Sequence, residues 1–204
     1  MLNLESYPVS RSSPSADLDF DSLYRSIHHL EMFYPQFTSW FWAKVVPGCR
    51  DQSRRIIQAH AGERLAALAI LKRSPFERKV CTLWVARFAR GCGFGQRLLS
   101  DSLEWLESDT PLITVCQERL HELQPLLGKF SFRLEQAAQS LYRPGRFEYV
   151  FNGVVRQPQA VLQDVHLPTL HLEERTSRSF SLSARSAHLK ICRFANSAED
   201  IAPF

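Results

Sequence analysis

Apolar residues at Leu23, Ile27 and Leu30 recur with the spacing of one helix face. Asp residues precede them and suit an N-cap and the positive end of a helix dipole. The pattern predicts a helix from Asp17 that Pro35 stops. A second helix is predicted over Phe37–Val46, with Pro47-Gly48 expected to end it. The period then changes to that of strands: Arg54–His60, Arg64–Lys72 and Lys79–Val85, with Ala61-Gly62-Glu63 as the hairpin turn between the first two. Lys79–Val85 (KVCTLWV) is apolar almost throughout, as expected of a strand covered on both faces. Leu99, Leu103 and Leu106, widened by Leu98 and Trp105, then mark a helix face ending near Asp109-Thr110-Pro111. Leu112–Val115 reads as a short buried strand and Glu118–Lys129 as a helix containing Pro125. Phe132–Leu141 and Phe147–Phe151 read as two last strands around Arg143-Pro144-Gly145-Arg146.

This order is mixed α/β, with only two strand–helix–strand crossovers. The pattern places one domain over residues 17–154. Residues 1–16, rich in Ser and Pro, read as a flexible lead-in, and residues 155–204 as a C-terminal extension between disordered and loosely packed.

Composition narrows the class. Hydrophobic residues are 45% and charged residues 23% of the 204, close to globular averages. The net charge of +4 is mild, and no basic run is interleaved with aromatics, which disfavours a direct nucleic-acid partner. The five cysteines (Cys49, Cys81, Cys92, Cys116, Cys192) are odd in number and form no C-x-x-C pair, as expected of reduced thiols in a cytoplasmic protein. No signal peptide and no bilayer-spanning apolar stretch is apparent, so no membrane partner is expected. His166 and His171 have no further ligands at zinc spacing, and no metal site is expected.

The candidate chemistry lies at Arg90-Gly91-Cys92-Gly93-Phe94-Gly95, between the strand ending at Val85 and a helix expected from Gln96. Phosphates bind where backbone N–H groups converge at a helix N-terminus, and glycines permit close approach. A Walker A loop would need Lys-Ser or Lys-Thr where Gln96-Arg97 stands, and a dinucleotide fingerprint would need G-x-G-x-x-G. A bare G-x-G-x-G is equally a structural turn. Its place between a buried strand and an amphipathic helix favours the phosphate site.

The stretch Cys81–Leu99 resembles the acetyl-CoA-binding segment of the GNAT acyltransferase superfamily: Arg or Gln, two residues, Gly, one residue, then Gly or Ala, matched at Arg90, Gly93 and Gly95. The resemblance extends more weakly over about residues 18–152. It implies a central, mostly antiparallel mixed sheet flanked by helices, with two splayed parallel strands, here Lys79–Val85 and Leu112–Val115. It implies acetyl-CoA as acyl donor, held by Trp84, Val85 and Arg87 along the pantetheine and by Arg90, Gly91, Cys92, Gly93, Phe94, Gly95 and Gln96 at the pyrophosphate. An amine would attack the thioester directly, with a strand N–H near Val85 polarising its carbonyl.

The acid that many relatives place as Tyr on the helix after the second splayed strand is here Leu127. Tyr142 and Cys116 are the substitute candidates, and Glu118 is a weaker one acting through water. Tyr34 and Trp40 are candidates for the acceptor pocket, each equally readable as core. The acceptor is left as a small amine, a protein amine or an aminoacyl-tRNA. The missing Tyr also fits a non-catalytic acyl-CoA-binding module, and a homodimer is compatible with the family.

Overall fold

The computed structural model describes residues 18–156. The expected lead-in over residues 1–16, and the expected extension beyond residue 156, lie outside the described residues.

Asp19 caps the first helix, α1 (Phe20–Ile27), by accepting from Ser22 N at 3.0 Å. A 3₁₀ turn (His28–Met32) follows. The second predicted helix is three segments: α2 (Phe37–Trp40), a π turn (Phe41–Val45) and α3 (Val46–Arg50). The wide π turn offsets the drift of a four-residue spacing, so Phe37, Phe41 and Val45 are all fully buried. Pro47 does not end the helix as expected. It sits in the first turn of α3, where its missing N–H is tolerated. Gly48 is a close-approach position, because a Cβ there would lie 2.7 Å from Cδ of the buried Arg54.

β1 (Arg54–Ala61), β2 (Arg64–Arg73) and β3 (Arg78–Val85) form an antiparallel meander. Ala66–Leu71 of β2 are all buried, so both faces of this sheet are covered. On one face lies α4 (Phe94–Leu106), through Leu98, Leu99 and Leu106. A second antiparallel sheet has the order β4 (Ile113–Cys116), β6 (Phe147–Phe151), β5 (Leu134–Gln139). One parallel bridge, Lys79↔Leu112, joins the two sheets, with Val80 N donating to Leu112 O at 3.0 Å and Leu112 N to Arg78 O at 2.9 Å. The architecture is thus mixed and mostly antiparallel, with helices flanking the strands.

The strand predicted over Phe132–Leu141 begins two residues late, at Leu134, because the chain before it caps a helix. α5 (Leu120–Lys129) ends in a Schellman motif: Phe132 N donates to Leu127 O and Ser131 N to Gly128 O, both at 3.1 Å, with Ser131 at φ 59°. Phe132 is spent capping the helix, packed in the core with Leu127. At the other end Ser140, at φ 60°, turns the chain out of β5.

Candidate acyl-donor turn and acceptor cleft

β3 passes through Ala86 and a 3₁₀ turn (Arg87–Ala89) into Arg90–Gly93 and then α4, which starts at Phe94 rather than Gln96. Gly91 (φ 74°) and Gly93 (φ 83°) are left-handed, a conformation that costs an ordinary L-residue ~1–2 kcal/mol. Gly93 is the N-cap and offers no side-chain acceptor. Arg97 N, donating to Gly93 O at 3.1 Å, makes the first bond of the helix. The amides of Gly95 and Gln96 therefore have no acceptor within the helix and point out of its positive end. A Cβ at Gly95 would sit 3.5 Å from Val85 and 3.4 Å from Leu126, in the space between the end of β3 and α5. Arg90 ties the turn to α5 through Glu122 (3.3 Å), which also holds Arg119 (2.8 Å). Arg87 is exposed and Cys92 is half-buried.

The open edge of β3 is set by a bulge. Ile70 pairs with Thr82 but Leu71 with Val80, leaving Cys81 as the extra residue, its sulfur 3.4 Å from Arg54 Nη1. Before the bulge, Val80 N points at β4. After it, Ala86 N donates to Ala66 O at 2.8 Å. Alternation then directs the amides of Leu83 and Val85 away from β2, toward the β4 side. Since β3 and β4 share only the one bridge, this is the edge where the sheet parts.

Beyond the bridge lies a cleft partly open to solvent. Leu83 and Trp84 of β3, Val115 and Cys116 of β4, and Phe33 and Tyr34 from the N-terminal segment line it, with Arg119 at the start of α5. Tyr34 is buried and hydrogen-bonded to Cys116. Burial pushes the Cys116 thiol up to about 11 and the Tyr34 phenol well above its ordinary value, so both keep their protons near neutrality. Cys116 is therefore a proton-holding thiol and not a nucleophilic thiolate. Tyr142 stands edge-on to Tyr34 (5.4 Å, 82°), with its hydroxyl 3.3 Å from Thr114 Oγ1. Burial also holds its phenol well above the usual range.

Trp40, expected at the acceptor pocket, is not among the lining residues. It packs on Phe37 (5.6 Å) with the Arg54 guanidinium over its ring (5.6 Å), which makes it a core residue. Glu118, read as a weak base candidate, is engaged by Arg143 at 2.6 Å, which holds its carboxyl below the usual value.

Glu148 escaped the sequence reading. It is 1% exposed and pairs with Cys116 across β4 and β6. Neither carboxylate oxygen has a hydrogen-bond partner. Burial holds the carboxyl up to about 8, against the pull of Arg143 and Lys79 and with the push of Glu118. The available signal was an acidic residue on the inward side of the alternation Phe147–Phe151.

Among the described residues no group of three or more His, Cys, Asp or Glu could hold a metal ion, and no helix is long and apolar enough to cross a membrane. A sequence profile of the Acetyltransferase (GNAT) family matches residues 17–130. No curated protein matches the chain. Among solved structures, Arabidopsis thaliana NAA60 in complex with a bisubstrate analogue is similar with a TM-score of 0.51 and 17% identity, over 65% of this chain and 90% of that one. The IAA acetyltransferase of Bacillus cereus is similar with a TM-score of 0.50 and 15% identity, over 72% and 97%. At these identities the likeness is one of fold.

Proposed function

The chain belongs to the GNAT acetyltransferase family, and from that premise we propose that it moves an acetyl group from acetyl-CoA to an amine by direct attack in a ternary complex. The observation that carries this reading is one continuous path: the glycine N-terminus of α4, the open edge of β3, and the cleft beyond the Lys79–Leu112 bridge. The pyrophosphate belongs at Gly91, Cys92, Gly93, Phe94, Gly95 and Gln96, with Arg87 and Arg90 supplying positive charge. The pantetheine arm runs along Trp84 and Val85, and the outward amide of Val85 polarises the thioester carbonyl. The reacting carbon then lies at the cleft, beside Cys116 and Tyr34.

The leaving thiolate must gain a proton. Cys116 lines the cleft and holds one; Tyr142 backs the same wall through its contact with Tyr34. A second reading, an acyl-CoA-binding module without turnover, is favoured by Leu127, which is fully buried where relatives carry the acid Tyr.

Binding and turnover separate these readings. Acetyl-CoA at about a hundredfold its dissociation constant should stabilise the fold by roughly 2.7 kcal/mol. Gly93→Asp should lose that stabilisation while remaining folded. Wild-type protein unmoved by acetyl-CoA defeats the proposal. Stabilisation without thiol release across an amine panel selects the binding module.

A further inference from the structure

A buried acid with two unpartnered oxygens is costly, and Glu148 is such a group. Its position gives that cost a use. Gln117 N donates to Phe147 O at 3.1 Å, so the adjacent Cys116–Glu148 pair falls at the narrow, non-hydrogen-bonded site of the β4–β6 ladder. There the two side chains lie side by side on one sheet face, with Cβ atoms ~4.5–5.5 Å apart. Cys116 lines the cleft, and Tyr34, bonded to Cys116, covers the same face. The carboxyl therefore lies immediately behind the cleft wall, beside Cys116 and Tyr34, which keep their own protons.

We propose that Glu148 is the proton acceptor for the acceptor amine bound in the cleft. This rests on the acetyl-transfer reading above. An alkylammonium gives one proton to the Glu148 carboxylate, directly or through one water. The freed nitrogen lone pair forms the C–N bond, and the C–S bond breaks with its electron pair going to sulfur. Cys116 gives its proton to the thiolate and takes a second proton from that nitrogen, and Glu148 later returns the first to solvent. The products are the amide, free thiol and one released proton.

The surroundings suit the task. The charged groups facing Glu148 are Arg143 in the β5–β6 connection, Lys79 on β3 and Glu118 after β4; Tyr34, Tyr142 and Cys116 are its titratable neutral neighbours. Burial dominates this set, and the carboxyl that results has the proton affinity of a base working near neutral pH.

The test uses the full chain with acetyl-CoA and two classes of probe nucleophile, read by thiol release. n-Butylamine, spermidine and a lysine peptide are protonated at neutral pH and must lose a proton before attack; hydroxylamine is largely neutral. Glu148→Gln should lower kcat/KM with the ammonium probes by roughly 10²–10⁴-fold, leave hydroxylamine transfer within a few fold, and keep acetyl-CoA stabilisation. Glu148→Asp should restore part of the loss. With an ammonium probe, the break that Glu148 puts in the wild-type pH–rate profile should be missing in Glu148→Gln, whose rate should follow only the free-amine fraction. Equal losses with both probe classes, or no loss with either, overturn the proposal. So does a wild-type protein that binds acetyl-CoA yet transfers to no ammonium probe. Absent acetyl-CoA binding would instead strike at the family reading of the donor site.

Discussion

The Glu148→Gln substitution also has a consequence for stability that needs no substrate. In the folded protein the carboxyl keeps its proton until about pH 8, against an ordinary value of 4.5. Between these two values the unfolded chain is ionised while the folded chain is not. Folding then takes up a proton, and stability falls as pH rises. At about 1.4 kcal/mol for each pH unit of displacement, the full effect is on the order of 5 kcal/mol. Roughly 4 kcal/mol of it falls between pH 5 and pH 9, because the unfolded carboxyl is already largely ionised at pH 5. Urea unfolding of wild type and Glu148→Gln at pH 5, 7 and 9 measures it. Histidines and other titrating groups are present in both chains and cancel in the difference. The stability of the Gln variant relative to wild type should climb steadily and level off above about pH 8. A difference that stays flat within about 1 kcal/mol would mean that Glu148 finds water or a cation in solution, and the reasoning from burial would fail.

Alkylation by iodoacetamide at pH 8, read by peptide mass spectrometry, should leave Cys116 unmodified in the native protein, since its thiol is buried and pushed up to about 11. In the same experiment acetyl-CoA should slow modification of half-buried Cys92 in the glycine turn; equal rates with and without it would argue against a ligand there. Phe41→Ala removes a fully buried ring at the π turn and should cost about 3–5 kcal/mol in urea unfolding. A cost below about 1 kcal/mol would mean that the N-terminal helices are not part of the core.

What the sequence disclosed was local. The turn at Arg90–Gly95 is contiguous in the chain, and its glycines are required by backbone angles at Gly91 and Gly93, so strand, turn and helix could be read in order. The helix was legible over Phe37–Val46, but its continuation to Arg50 and its π turn were not, because the turn answers to core partners remote in sequence. Phe132 has strand propensity, yet its amide is claimed by the end of α5. Cys116 and Tyr34 could be named as candidates one at a time. Their meeting, and the approach of Glu148 to Cys116, depends on the β4–β6 register, and contacts of that range leave no periodic trace.

The bulge at Cys81 makes the length of β3 a matter of odd and even. One parity serves the Val80 amide, which must reach Leu112; the other serves Leu83 and Val85, which must turn to the same side three and five residues later. Ironing out the bulge at unchanged length would direct both later amides into β2 and exchange the faces on which Leu83 and Trp84 lie, whereas losing Cys81 itself would leave both as they are. The hairpin turn at Gly62 carries no such condition: it makes no close contact at that glycine and can grow or shrink. Tolerance to a change of length is thus written unevenly along this chain, loose at the Gly62 turn and confined in β3 to the one residue that the bulge absorbs.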